Sequence, residues 1–326
     1  MRLARHLGKL AGLAFAASLA MSAAALAQSY PNKPVRIIVP FGAGGPADIY
    51  ARAIGQQLQD ALKQPFVIEN KPGAGAVIGT VEAARAAPDG YTLLMMSNTH
   101  TANETLVPAK AYKLTTDLVP IAPVNAADLV LVVHPAVEAK TLQEFIALAK
   151  SKPKQLNYAS SGVGTPYHLA GESFKALSGT DIVHVPHRGS GEARSNVIGG
   201  HVQMMIDSVT TTAPSIAAGQ VRALAVTGAA RSALLPDVPT AAEAGLKDYE
   251  ATIWLGLMAP AGTPQAIVDQ LNAAVRAAQN RPEVKEAYAK QGTVAMDMSP
   301  AQFGEFIKAD IVKWARVIET AQIKVN

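Results

Sequence analysis

The 326-residue chain has no cysteine, which excludes disulfides, thiolate metal sites and lipid attachment through a thiol. A chain this long can fill its cores without such staples. Aromatic residues are scarce at 5%, and they do not interleave with Lys or Arg. Charge is also sparse, at 17% of residues. The formal net charge is +4, but Arg2, Arg5 and Lys9 all lie in the first 27 residues, which contain no acid. The remainder carries 26 basic against 25 acidic residues. A nearly neutral body argues against a nucleic-acid binder. Past the N-terminus no stretch of about 18 apolar residues occurs, so none is read as a membrane span. The G-x-S-x-G of an α/β-hydrolase elbow is missing. So is any H-x-x-x-H or other tight metal-ligand cluster among the seven histidines. No carboxylate pair is recognisable by spacing. The sequence therefore nominates no catalytic residue, no metal ligand and no cofactor.

What is present begins with residues 1–27: a basic start, an alanine- and leucine-rich middle, then Ala25-Leu26-Ala27 before Gln28. This is the pattern of an export signal cleaved near Ala27, and the run is short for a membrane anchor. Export to the periplasm is expected.

The body is 49% hydrophobic over the whole chain, and its organising stretch is 35–58. An apolar run at 35–39 reads as a buried strand. The turn Phe41-Gly42-Ala43-Gly44-Gly45-Pro46-Ala47-Asp48 follows, and then Ile49, Ala53, Ile54 and Leu58 recur at helical spacing. Strand, glycine turn and helix N-terminus together form an anion site, because the leading amides have no partner within the helix. The pattern returns about 120 residues on: a strand at 155–160, the turn Ser161-Gly162-Val163-Gly164-Thr165-Pro166, and a helix that Pro166 is suited to open. Two such turns on either side of a cleft can hold a small acid between them.

Between and beyond these units, strands are expected at 66–70, 91–96, 182–185, 202–206, 221–226 and 253–258. Helices are expected at 77–86, 141–150, 264–280 and 300–320, and helix starts at 192 and 210. Thr141 and Glu144 have capping-box spacing. Alternating strands and helices predict a parallel sheet covered on both faces. The stretch 121–133 reads as a crossover broken by Asn125-Ala126-Ala127-Asp128. The last helices are expected to return to the first domain, giving a discontinuous domain of 28–125 with 250–326 and a second of 126–249.

Competing readings accompany each motif. Gly42 to Ala47 also fits G-x-G-x-x-A, with Glu69 where a dinucleotide site places its ribose acid. Export and the second glycine turn speak against that reading. Arg188 precedes a helix, where a cation is unfavourable without a partner, so it is either a ligand contact or a solvated loop residue. Asp207 can accept from a ligand or cap the next helix. His168 can donate to a ligand or pack with a backbone bond. Ser97, Asn98 and Thr99 end a strand at the usual ligand edge of a parallel sheet.

Several longer motifs resemble one family. These are Tyr30-Pro31-Asn32-Lys33-Pro34-Val35, the turn ending Gly44-Gly45-Pro46-Ala47-Asp48, and Glu69-Asn70-Lys71-Pro72-Gly73-Ala74-Gly75. Asp89-Gly90-Tyr91, Leu235-Pro236-Asp237-Val238-Pro239 and Ala259-Pro260-Ala261-Gly262-Thr263-Pro264 agree. Together they resemble the Bug family, the extracytoplasmic solute receptors of tripartite tricarboxylate transporters. The resemblance implies an α/β, two-domain periplasmic binding protein of the Venus-flytrap type (type II-like), with a ligand cleft between the domains and no enzymatic activity. It implies a small carboxylate ligand (a dicarboxylate, amino acid or aromatic acid) held by backbone amides and waters. It also implies delivery, as a monomer, to the large and small integral membrane subunits of a transporter. Carried onto this sequence, the ligand residues are Phe41, Ala43, Gly44, Gly45 and Asp48 on one side, and Ser160, Gly162, Gly164, Thr165 and His168 on the other. Ser97, Asn98 and Asp207 fall at positions that line such pockets. Pro46, and His187-Arg188-Gly189 in place of Tyr-Lys-Gly, depart from the common pattern, and Arg188 favours a second acidic group on the ligand. A sensor component for a membrane kinase and an exported α/β enzyme acting on a carboxylate are the alternatives.

Overall fold

The computed structural model describes residues 30–320 and 322–323. The expected export signal lies outside them. In chain order the elements are β1 (Val35–Val39), α1 (Pro46–Leu62), β2 (Phe66–Asn70), α2 (Val77–Ala84), β3 (Thr92–Ser97), α3 (Asn98–Leu106), α4 (Leu114–Asp117) and β4 (Leu118–Val133). Then come α5 (Leu142–Ser151), β5 (Asn157–Ser160), α6 (Pro166–Ser178), β6 (Val183–Pro186), α7 (Ser190–Ile198), β7 (Met204–Ser208), α8 (Val209–Ala217) and β8 (Arg222–Val226). The chain returns through β9 (Thr252–Pro260), α9 (Gln265–Gln279), α10 (Pro282–Lys290), β10 (Thr293–Ala295) and α11 (Pro300–Thr320).

The apolar runs become strands buried on both faces, and the two-residue period of a strand divides each run between two cores. Val35, Ile37 and Val39 face one core with Tyr50, Ile54 and Leu58 of α1 and Leu271 and Val275 of α9. Ile38, Leu94 and Met96 face the other, against Phe303 and Ile307 of α11. In the second half, Leu129, Leu131 and Val133 pack towards Phe145 and Phe174, while Val130 and Val132 pack towards Val197 and Val209. Each large aliphatic buried this way contributes roughly 1.5–3 kcal/mol.

The expected parallel sheet is only part of the outcome. β2-β1-β3 and β6-β5-β7 are parallel triplets. Each is extended by antiparallel strands, β9 beside β3 and β4 beside β7. The break expected at 125–128 is also corrected, since β4 runs unbroken through it. Asn125 sits within the sheet, where its side-chain Nδ2 donates to Thr293 Oγ1 at 2.8 Å while its Oδ1 is buried without a partner. β4 pairs with β9 up to Asp128 and with β7 from Leu129 onward, so one strand serves both halves. The last helices return to the first half: α9 and α10 cover α1 through Leu271 and Tyr288, and α11 packs on α3. The Thr141 and Glu144 capping box is present, with reciprocal bonds of 3.2 Å. Helix α3 had no sequence signal; it starts directly at Asn98, where only a strand end was expected.

Candidate functional site

The first glycine turn hands β1 to α1. Gly44 has φ +75°, a conformation that strains other residues, and Gly45 is the extended N-cap before Pro46. No side chain caps α1. Its first internally bonded amide is Ile49, which donates to Gly45 O, so the amides of Ala47 and Asp48 lead the helix without an intrahelical partner. Asp48 folds back, and its Oδ2 accepts the Gly44 N–H at 3.0 Å while Oδ1 pairs with Arg52 at 2.8 Å. Burial pushes this carboxyl up, but hydrogen bonds from Arg52, the Gly44 amide and Asn70 outweigh it and hold the pKa below the ordinary value.

The second turn repeats the device with different chemistry. Gly164 has φ +76°, Thr165 is an extended N-cap without a side-chain bond, and Pro166 opens α6. The residue three into this helix again reaches back: Gly164 N–H donates to His168 Nδ1 at 3.2 Å. As an acceptor His168 must be neutral, and burial lowers its pKa to about 4. Its ring lies 4.2 Å from that of His184, whose Nε2 is 2.6 Å from Ser160 Oγ. Ser160 Oγ also accepts the Gly162 N–H at 3.1 Å. Tyr167 and His168 are the leading amides of α6, because Leu169 makes the first bond, to Thr165 O.

A third helix start meets these two. α7 follows the extended N-cap Gly189, again with no side-chain cap. The halves are in direct contact here. A methyl on Gly42 would sit 3.2 Å from Arg188 O, one on Gly45 2.8 Å from Ser190 Oγ, and one on Gly75 2.7 Å from Val163 O. Only glycine allows so close an approach.

Two neighbouring cavities that share lining residues lie along this contact. The inner, of about 30 Å³, is bounded by Phe41, Gly45 to Ala47, Ser97, Ser161, Pro166, Tyr167, Arg188 to Ser190 and Ile253, with Gly42. The outer, of about 660 Å³, runs between the 72–76 loop with Val107 and the 161–165 turn with His187. Phe41, Ser161 and Arg188 line both. The inner volume suits about two water-sized atoms, and of the residues that lead α1 and α6 it is lined by Ala47 and Tyr167.

Of the expected site residues, Phe41, Gly45, Ser97, Gly162, Thr165 and Arg188 line these cavities. Ala43, Gly44, Asp48, Asn98, Ser160, Gly164, His168 and Asp207 do not, and most of them shape the walls from behind. Asn98 donates to Thr252 O at 2.9 Å, and Ser97 Oγ accepts from Thr99 N–H at 3.2 Å. The Asp207 side chain is wholly buried: Oδ2 is held by Arg194 at 2.7 Å and Thr212 at 2.8 Å, and Oδ1 takes the Ser208 N–H. Glu69, the candidate ribose acid, is instead paired with Arg36 at 3.4 Å. Gly42 and Ser161, within the two expected turns, line the inner cavity, and Tyr167, Ser190 and Ile253 line it without having been expected there. Tyr167 was adjacent to named residues, whereas Ile253 carries no local signal at all. Among the described residues no group of three His, Asp or Glu side chains is placed to hold a metal ion.

Comparison with known proteins gives the family and the fold. The family model described as "Tripartite tricarboxylate transporter family receptor" matches residues 50–323. Protein BugT of Bordetella pertussis is 37% identical over 314 residues, spanning 96% of each chain. The solved periplasmic binding protein BugD superposes with a TM-score of 0.87 at 32% identity, covering 90% of this chain and 99% of its own. An R. palustris protein, Rpa4515, solved with adipate, gives 0.88 at 32% identity, covering 91% and 99%. A two-half α/β binding fold and a family match over most of its length agree: the chain belongs to the receptor family of tripartite tricarboxylate transporters, the Bug proteins.

Proposed function

We propose that this chain is a periplasmic receptor that closes on a small carboxylate and delivers it to the membrane subunits of a tripartite transporter. The observation that carries this reading is the convergence of two helix N-termini, α1 and α6, uncapped by side chains, on one small cavity. Their leading amides are donors without intrahelical partners, and the macrodipoles place partial positive charge beside them. The related structure containing adipate supports an acid as the ligand. Each helix end is worth about 0.3–1 kcal/mol, or up to ~2 when partly buried. Micromolar affinity needs about 8 kcal/mol. The rest must come from charge-assisted hydrogen bonds of about 1.5–3 kcal/mol each, made in a cleft that closes and excludes water. Binding and closure are thereby coupled. We place the hinge beside Asp128, where β4 changes partners, between halves of 28–125 with 250–326 and 126–249.

Thermal unfolding of the chain from Gln28, with and without a panel of carboxylates and their amides, tests the reading. An acid at 100 times its dissociation constant should add about 2.7 kcal/mol of stability, and its amide should add little. Equal stabilisation by acid and amide, or none by any acid, would overturn it.

A further inference from the structure

The inner cavity has room for a carboxylate and little else, so the rest of any ligand must pass Phe41 and Ser161 into the outer one. Apart from Ser161, Thr165, His187 and Arg188, the outer cavity is lined by glycines and apolar residues such as Pro72, Ala74, Val107 and Val163. No Asp or Glu lines either cavity. The two nearby buried carboxylates are already committed, Asp48 to Arg52 and the Gly44 amide, and Asp207 to Arg194 and Thr212. An ammonium group on the ligand would find no counter-charge. A second anion would find one. Arg188 lines both cavities, is exposed, and among the described residues its guanidinium takes part in no ion pair within 4.0 Å. The nearby Glu192 carboxylate is bonded to the main chain and not to the guanidinium: its Oε2 accepts the Arg188 N–H at 3.1 Å. The main chain of the loop is held by that bond and by the approach of Arg188 O to Gly42, which places Arg188 at the mouth of the inner cavity. His187, the other titratable residue of the outer wall, has Nδ1 3.0 Å from Val185 O.

We propose that Arg188 is a specificity-determining residue that pairs with the far carboxylate of an extended α,ω-dicarboxylate, selecting it over monocarboxylates and amino acids. The proposal rests on the carboxylate clamp proposed above. Its linker would be apolar, to match the outer walls. Isothermal titration of the chain from Gln28 with succinate, glutarate, adipate and pimelate, each against its monocarboxylate, and with 6-aminohexanoate, tests it. The best diacid should bind about ten- to hundred-fold more tightly than the monoacid of equal length, the effect of one charge-assisted pair. In Arg188→Gln that ratio should collapse to within about three-fold, and Arg188→Lys should restore part of it. An undiminished ratio in Arg188→Gln, or monoacids and 6-aminohexanoate matching the diacids in the parent chain, overturns the proposal and leaves the clamp standing. Binding of no acid at all overturns both.

Discussion

Single residues decide how each turn is held, and the two turns reach the same geometry by opposite electrostatics. Asp48 accepts the Gly44 amide as a carboxylate, and His168 accepts the Gly164 amide as a neutral imidazole. The second choice makes the fold sensitive to acid. Burial lowers the pKa of His168 to about 4, against 6.5 for an unperturbed histidine. The unfolded chain therefore binds this proton first, and stability drops as pH falls through the window from 6.5 to about 4. Between pH 7 and pH 5 the loss from His168 alone should be about 1–2 kcal/mol. Urea titrations at both pH values should show His168→Gln losing less than the parent over this interval. Equal losses would mean that His168 is not held neutral in the fold.

At the level of elements, what was legible and what was not has a common cause. Helices with an apolar stripe, such as α1 and α9, were visible because periodicity is a local property. Helix α3, Asn98-Thr99-His100-Thr101-Ala102-Asn103-Glu104-Thr105-Leu106, has no such stripe. It is buried through polar bonds to distant groups: Thr101 donates to Asp310 of α11 at 2.6 Å, and Asn103 to Gly75 O at 2.8 Å. β10 was missed because its three residues are ordered by pairing with β4. The packing of α6 onto β5 is equally non-local. Gly171 faces the Tyr158 ring so closely that a Cβ would lie 2.2 Å from it, and that ring stacks on His184. Gly171→Ala should therefore destabilise the protein by about 1–3 kcal/mol, although alanine favours a helix. A denaturation midpoint at or above that of the parent would show that α6 can shift without penalty.

For the whole molecule the question is closure. Gly75 approaches Val163 across the cleft and also has φ +59°. Gly219 has a similar φ of +67°, but a methyl group there would meet no atom within 4 Å. Alanine at either position strains the backbone by about 1–3 kcal/mol. Of the two, only at Gly75 would the methyl also meet the opposite half, 2.7 Å from Val163 O. A Gly75→Ala chain should bind its carboxylate about ten-fold or more weakly by titration, with faster release, whereas Gly219→Ala should bind as the parent does. Equal effects would mean that the two halves do not need this contact to retain ligand.

By itself the sequence determined the family, the alternation of strands and helices, and the two glycine turns that start α1 and α6. Each of these depends on residues a few positions apart: apolar period, glycine at positive φ, proline at a first helical position. Tertiary structure alone decided that Asp48, Ser160 and His168 brace the turns, that Asp207 is held by Arg194, and that Tyr167, Ser190 and Ile253 line the inner cavity. It also brought the start of α7 to the same cavity and left the Arg188 guanidinium, among the described residues, out of any side-chain ion pair. The physical reason is that a side chain's role depends on which hydrogen-bond partners reach it once distant elements pack. Asp207 is committed to Arg194 by the packing of α7 on β7, and Arg188, six residues earlier than Arg194, is not.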